Sequence, residues 1–391
     1  VTRLSARTAW PRVPNALAEA VAARRAQGLR TLDLTASNPT AVFPRLPHDE
    51  VLAGPGDPLG RAYLPEPQGL LAAREAVAAY YAARGATVDP AQVVLTASTS
   101  EGYGWLFKLL CDPGDRVLVG RPGYPLFDDL ARLEGVTLAP VPLRREAHWG
   151  IDLDALDDAV DPRTRALSVV HPNNPTGHFV SDDDRAALLA RCAARGLALI
   201  VDEVFLDFGW GAPTTRARTF AGEVDALTFT LSGLSKVCAA PQVKLGWIVV
   251  SGPRAQRDEA LARLELIADC YLSVSTAAQR ATARLLARSQ ETREVLLRRV
   301  RENRATLRGA LHPGSCITLG PAEAGWYATA RLPRTRSEQD WALDLLRAGA
   351  LAQPGWFYEF DDEAWLVLSL LTPAEDFAEG LAALTRLADG A

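Results

Sequence analysis

The sequence predicts an α/β protein. It has a large domain on a mostly parallel seven-stranded sheet, plus a small α+β domain formed by the C-terminal part and the N-terminal arm. Three observations carry this. Seven short apolar runs between residues 93 and 251 alternate with helical stretches, the pattern of parallel strands joined by crossover helices. After residue 251 the pattern changes to two long helical stretches, then to a second mixture of strands and helices. With 391 residues, 48% hydrophobic and 23% charged, the chain can bury a sizeable core in two or so domains.

Residues 1–45 read as an arm. Pro11, Pro14, Asn38 and Pro39 interrupt it, a helix pattern covers 16–27 and stops at Gly28, and 31–34 reads as a short strand. A Gly/Pro loop at 54–60 and the segment 63–69 precede a strong helix pattern at 70–84, which Gly85 ends. The strand candidates follow at 93–96, 116–119, 137–141, 166–170, 197–201, 226–231 and 247–251. Helical stretches at 101–111, 125–133 and 182–195 separate several of them. In such sheets, ligands bind at the loops beyond the strands' carboxyl ends. Helical patterns at 254–267 and 277–311 come next, the second with arginines on its polar positions, simplest as a solvated face. From about 312, strands at 325–332 and 365–371 alternate with helices at 337–348 and 373–389. The chain thus divides into an arm at 1–45 that joins the small domain, a large domain at 46–275, and a connecting helix with the small domain at 276–391.

The formal net charge of −5 gives no reason to expect nucleic acid or an anionic membrane as a partner. No apolar run reaches the length of a membrane span, because Asp202 and Glu203 cut off 197–201. Residues 1–10 have arginines but no apolar signal-peptide core. The five cysteines are scattered without a CxxC pair and the five histidines form no metal-spaced cluster. They read as reduced thiols of a cytoplasmic protein, with no metal site.

Four signals stand at the ends of predicted strands. The first is Ala97-Ser98-Thr99-Ser100-Glu101-Gly102, small hydroxyl residues at a helix start. Free backbone N–H groups and hydroxyls there suit a phosphate, though taken alone the run is more simply an ordinary N-cap. The second is His171-Pro172-Asn173-Asn174-Pro175-Thr176-Gly177, a loop stiffened by two prolines that presents asparagines. The third is Asp202 with Glu203, carboxylates at the tip of a buried strand, where a cation must offset burial. The fourth is Leu231-Ser232-Gly233-Leu234-Ser235-Lys236, with Lys244 eight positions on. A lysine just off a buried strand can be partly desolvated, which lowers its pKa and makes the amine nucleophilic; a surface charge at a loop is the equal alternative for this stretch alone. Pyridoxal phosphate uses all four together: phosphate, aldehyde and a basic ring nitrogen that needs an acidic partner.

In this combination the chain resembles the class I/II aminotransferases of pyridoxal-phosphate fold type I, in order from about 32 to 389. The pieces that carry the likeness are the segment 63–69, the run 97–101, Arg121-Pro122-Gly123-Tyr124-Pro125, the run 173–177, Asp202-Glu203 and the run 232–236. The resemblance implies that Lys236 forms the Schiff base and then moves the proton between substrate α-carbon and cofactor. Asp202 would pair with the ring nitrogen, Tyr124 would stack on the ring, and Asn174 would bond its 3-oxygen. Ser98, Thr99, Ser100, Ser235 and Lys244 would hold the phosphate. Tyr63 would reach the phosphate of a neighbouring subunit, which implies a homodimer with shared sites. An amino donor and a keto-acid acceptor would be the substrates.

Three positions depart from the family's pattern. Lys244 stands where arginine is usual, keeping the charge but losing the bidentate fork. Phe205 stands where a tyrosine usually donates to the ring oxygen. Val367 aligns with the arginine that usually clamps the substrate carboxylate, and valine offers no donor. The clamp helps choose which bond at the α-carbon breaks, so the alternative is a β- or γ-eliminating lyase or a tailoring enzyme of the same fold. A transcriptional regulator with an aminotransferase-like domain is disfavoured, because about 35 residues before the pattern are too few for a helix-turn-helix domain. A nicotinamide dehydrogenase is disfavoured because no GxGxxG follows a strand.

Overall fold

The structure is a computed structural model. It describes residues 4–10, 13–47, 65–145, 148–211, 218–312, 314–362 and 364–390. The arm carries the helix Ala16–Ala26, capped by the Asn15 side chain, and the short strand β1 (Leu32–Asp33). All seven predicted apolar runs become strands of one sheet: β2 (Val93–Thr96), β3 (Arg116–Arg121), β4 (Thr137–Arg145), β6 (Thr164–Val170), β7 (Ala198–Asp202), β8 (Thr228–Gly233) and β9 (Gly246–Ser251). The sheet has eight strands, not seven. The eighth, β5 (Trp149–Ile151), folds back antiparallel on β4 and is anchored by the buried Trp149. Three residues are too short a run to show as a strand in sequence.

The strand order is β2-β9-β8-β7-β6-β3-β4-β5. The central five strands, β8 to β4, are parallel, while β9 runs antiparallel to both of its neighbours. Both faces are covered. Ala198 and Ile200 of β7 enter a core with the helices Thr99–Leu110 and Arg254–Tyr271, while Leu199 and Val201 face the helix Asp182–Arg195. That two-sided burial is why these strands read as unbroken apolar runs.

The helix predicted at 277–311 is two helices, Thr276–Ala287 and Ser289–Ala310. Ser289 Oγ donates to the Leu286 carbonyl at 2.6 Å, and Arg288 N–H reaches Leu285 at 3.1 Å instead of continuing the α-helical ladder. A serine that bonds the preceding turn favours such a break over a helix interior.

In the C-terminal part, β11 (Tyr327–Arg331) and β14 (Trp365–Ser369) pair antiparallel at the centre of a four-stranded sheet. It is completed by β10 (Thr318–Leu319) and β13 (Gln353–Pro354). Strand β12 (Ala350–Leu351) instead pairs in parallel with β1 of the arm. Leu32 and Leu34 share one core with Leu366, Leu368 and Leu384, so the arm packs with this sheet as expected. Ahead of it, Arg7 donates to the Leu133 carbonyl and Trp10 Nε1 to Asp129, which ties residues 4–10 to the helix Phe127–Glu134.

Candidate active site

Thr96, Gly233, Asp202 and Val170 lie at the carboxyl ends of β2, β8, β7 and β6, and the ladder registers place these ends along one edge of the sheet. Thr96 faces Gly246, Gly246 faces Gly233, Leu231 faces Asp202, and Asp202 faces Val170. Between β6 and β3 the strand order reverses, so the loops after them diverge and leave a crevice. Tyr124 follows β3 and Asn174 follows β6, and Asn173 Nδ2 bridges the crevice to the Pro122 carbonyl at 3.4 Å.

Lys236 lies in the single helical turn Leu234–Val237 directly after β8. Its amine is 4.7 Å from the Trp326 ring centre and 5.6 Å from that of Phe205, and it makes no hydrogen bond to the described residues. Burial pulls its pKa down to about 8, against the attraction of Asp202, the charge that acts on it. An amine so placed is a nucleophile near neutrality.

Asp202 is buried, with Oδ1 accepting from the Val204 N–H at 3.0 Å and Oδ2 from the Tyr103 hydroxyl at 3.2 Å. Burial lifts its carboxyl to about 6, and those two donors and Lys236 hold it from rising further. Glu203, beside it, turns to the other face. It accepts from Thr219 Oγ1 and the Phe220 N–H, both at 2.6 Å, and so fastens a loop. Tyr124 is half-buried and its hydroxyl is pushed up to about 12, by burial first and then by Asp202 and Tyr327. Asn174 carries a buried amide oxygen with no hydrogen-bond partner. Phe205 is buried and packs edge-on against Phe208 and Trp326.

Ser98 is the N-cap of the helix Thr99–Leu110, its Oγ accepting from the Glu101 N–H at 3.1 Å. The plain capping role is therefore real, and the hydroxyl hydrogen is left to donate elsewhere. The N–H groups of a first helical turn lack intrahelical acceptors, so Thr99 and Ser100 present donors. Gly246 of β9 presses against this start. A Cβ there would lie 3.0 Å from Thr99 N, Ser98 C and Thr96 Oγ1. Ser235 is half-buried next to Lys236, and Lys244 is exposed with left-handed φ of 59°. Tyr63 lies outside the described residues.

Val367 is buried on β14, opposite Thr329 of β11 and Gln353 of β13. Sequence reasoning missed Tyr103, Trp326, Tyr327 and Tyr358. Tyr103 looked like one more apolar helix residue. Tyr327, bonded to Ser37 of the arm, and Tyr358 neighbour Tyr124 only through the fold.

The sequence matches the profile of the family described as aminotransferase class I and II over residues 41–384. The chain belongs to this family. It is 34% identical over 196 residues to S-alkyl-thiohydroximate lyase SUR1 of Arabidopsis thaliana, covering 50% of this chain and 42% of that protein. It is 32% identical over 227 residues to the tyrosine aminotransferase of Bos taurus, covering 56% and 50%. These matches span about half the length of the curated relatives. The fold agrees with a single mutant of Thermus thermophilus aspartate aminotransferase at a TM-score of 0.84 and 25% identity, over 99% of this chain and all of that one. Class I/II aminotransferases depend on pyridoxal phosphate, and the residues present fit it. The Lys236 amine, without a hydrogen bond to the described residues, the buried Asp202 and the helix start walled by Gly246 are complementary to its aldehyde, ring nitrogen and phosphate, and the Asn174 side chain carries an N–H group that can donate to its ring oxygen.

Proposed function

We propose that the chain is a pyridoxal-phosphate-dependent aminotransferase. It passes an amino group between an amino acid or amine and a keto acid in two half-reactions, a ping-pong exchange through a Schiff base at Lys236. The observation that carries this is the Lys236 amine directly after β8, beside the Trp326 and Phe205 rings and without a hydrogen bond to the described residues, its pKa lowered by burial. When bound, the cofactor supplies an aldehyde for the lysine and a ring that accepts electrons from the substrate's α-carbon. Lys236 takes and returns the α-proton. Asp202, oriented by Tyr103 and the Val204 N–H, holds a proton on the ring nitrogen. Tyr124 stacks on the ring and Asn174 donates to its 3-oxygen. Phe205 packs beside the ring and cannot donate, which leaves Asn174 that task. Ser98, Thr99, Ser100, Ser235 and Lys244 bind phosphate as donors and charge.

We divide the chain into an arm at 1–45 that joins the small domain, a cofactor domain at 46–275, and a connecting helix with the small domain at 276–391; the packing of Leu32 and Leu34 against Leu366 and Leu368 supports the first of these. Two chains form a homodimer in which Tyr63 serves the neighbour's phosphate. We place the enzyme in the cytoplasm, in keeping with five free cysteines. Among the described residues no helix is long and apolar enough to cross a membrane.

A lyase reading has its own support in the likeness to SUR1 and in Val367, which leaves β14 without a guanidinium to orient the substrate. One experiment separates the two. The loaded protein is mixed with a panel of amino acids and amines, without acceptor, and its absorbance is followed. Conversion to pyridoxamine phosphate establishes transamination. Release of ammonia and a keto acid with the original spectrum restored establishes elimination. Lys236→Ala should abolish the borohydride-reducible adduct, and its persistence would place the attachment elsewhere.

A further inference from the structure

The turn that carries Tyr124 is fastened from the small sheet. Arg121, the last residue of β3, is buried, and its guanidinium lies between two carboxylates. One is Asp128, in the first turn of the helix Phe127–Glu134. The other is Glu359, whose Oε2 is 2.8 Å from Nε. Glu359 follows the turn Gly355–Tyr358, between β13 and β14, and holds a left-handed φ of 58°, a conformation that a residue with a side chain keeps only when its surroundings fix it. Two residues after Arg121, the Gly123 N–H donates to the Tyr358 carbonyl at 2.9 Å. Gly123 admits no side chain, since a Cβ would lie 2.7 Å from the Gly120 carbonyl oxygen. The turn entering Tyr124 is therefore held to the segment 358–359 by one backbone hydrogen bond and one side-chain ion pair. The Tyr124 hydroxyl makes no hydrogen bond to the described residues, so the turn, not the tip of the ring, fixes where the ring lies.

We propose that Arg121 and Glu359 are positioning residues, clasping the 121–124 turn to the small sheet and so setting the Tyr124 ring over the cofactor. The proposal rests on the pyridoxal-phosphate reading of the site. Both carboxylates are about half exposed, at 48% and 49%, and Asp128 still pairs with the buried Arg121 when Glu359 is changed, so Glu359→Gln strands no charge. Losing the Glu359 carboxylate should disturb the ring more than the fold.

A double-mutant cycle tests this. Glu359→Gln, Arg121→Lys and Tyr124→Ala are made singly and in pairs. Pyridoxal phosphate is titrated into the cofactor-free protein by tryptophan fluorescence, and the visible circular dichroism of the bound form is recorded. Glu359→Gln and Arg121→Lys should each weaken binding about fivefold and diminish the visible band, Glu359→Gln with little change in Tm, because glutamine lacks the charge that pairs with Arg121 and lysine lacks the fork that spans both carboxylates. In the Tyr124→Ala background, neither should weaken binding further, the non-additivity expected of residues acting through one another. Wild-type affinity and dichroism in Glu359→Gln, or an equal loss with and without Tyr124, would overturn the clasp while leaving the cofactor reading intact. Failure of the wild-type chain to bind pyridoxal phosphate would overturn that reading, and the clasp with it.

Discussion

At the scale of the residue, Lys236 and Asp202 work by being buried near each other with few other partners. Burial lowers the lysine to about 8 and raises the aspartate to about 6, and each moderates the other. The lysine shift has a thermodynamic signature. Between about 8 and the ordinary value of 10.5, the folded chain has released the Lys236 proton and the unfolded chain still holds it. The unfolded state then binds more protons, so stability rises with pH in that window. Urea denaturation of the cofactor-free protein should show a gain of about 2 kcal/mol from about pH 7.5 to 9.5 relative to Lys236→Met. Equal pH slopes for the two proteins would show an unperturbed lysine.

At the scale of the element, the site depends on how closely β9 meets the helix Thr99–Leu110. Strand β9 lies between β2 and β8, so it sets the separation between the proposed phosphate donors at 98–100 and the lysine turn. Gly246 allows that closeness, having three backbone or hydroxyl atoms 3.0 Å from where a Cβ would be. Gly246→Ala should push the helix start away, costing about 1–3 kcal/mol in denaturant midpoint analysis. It should also weaken pyridoxal phosphate binding more than binding of pyridoxal, which lacks the phosphate. An equal loss for both ligands would mean that the helix start does not hold the phosphate.

At the scale of the whole molecule, Asp207 joins elements that sequence places far apart. Its carboxylate accepts from Arg84 Nε at 2.8 Å, Arg84 Nη2 at 2.7 Å and the Tyr80 hydroxyl at 3.1 Å, with Arg293 of the helix Ser289–Ala310 3.6 Å away. Arg84 also stacks on the Tyr80 ring. Asp207→Ala would strand a largely buried guanidinium and should cost about 3 kcal/mol by urea denaturation. The proposed dimer has a complementation test. Lys236→Ala and Tyr63→Ala chains are inactive or weakened alone. Mixed and reassembled, half the dimers are hybrids with one intact site each, so about a quarter of wild-type activity should return. No recovery in a mixture shown to contain hybrids would mean that Tyr63 serves its own subunit.

Sequence alone determined the strands of the large sheet, because strands buried on both faces must be apolar throughout and stand out between helical patterns. It missed β5, which is held by tertiary pairing to β4, and it ran two helices together across Arg288, where one serine hydroxyl decides the break. Lys236, Asp202, Asn174 and Tyr124 stand out as candidates because each follows an apolar run, and strand ends are where an α/β sheet opens to ligands. Only the tertiary structure decided what surrounds them. Tyr103 under Asp202, Trp326 beside Lys236 and Arg121 between Asp128 and Glu359 are contacts between elements distant in the chain. Periodicity records which face of an element is buried, but not what that face is buried against.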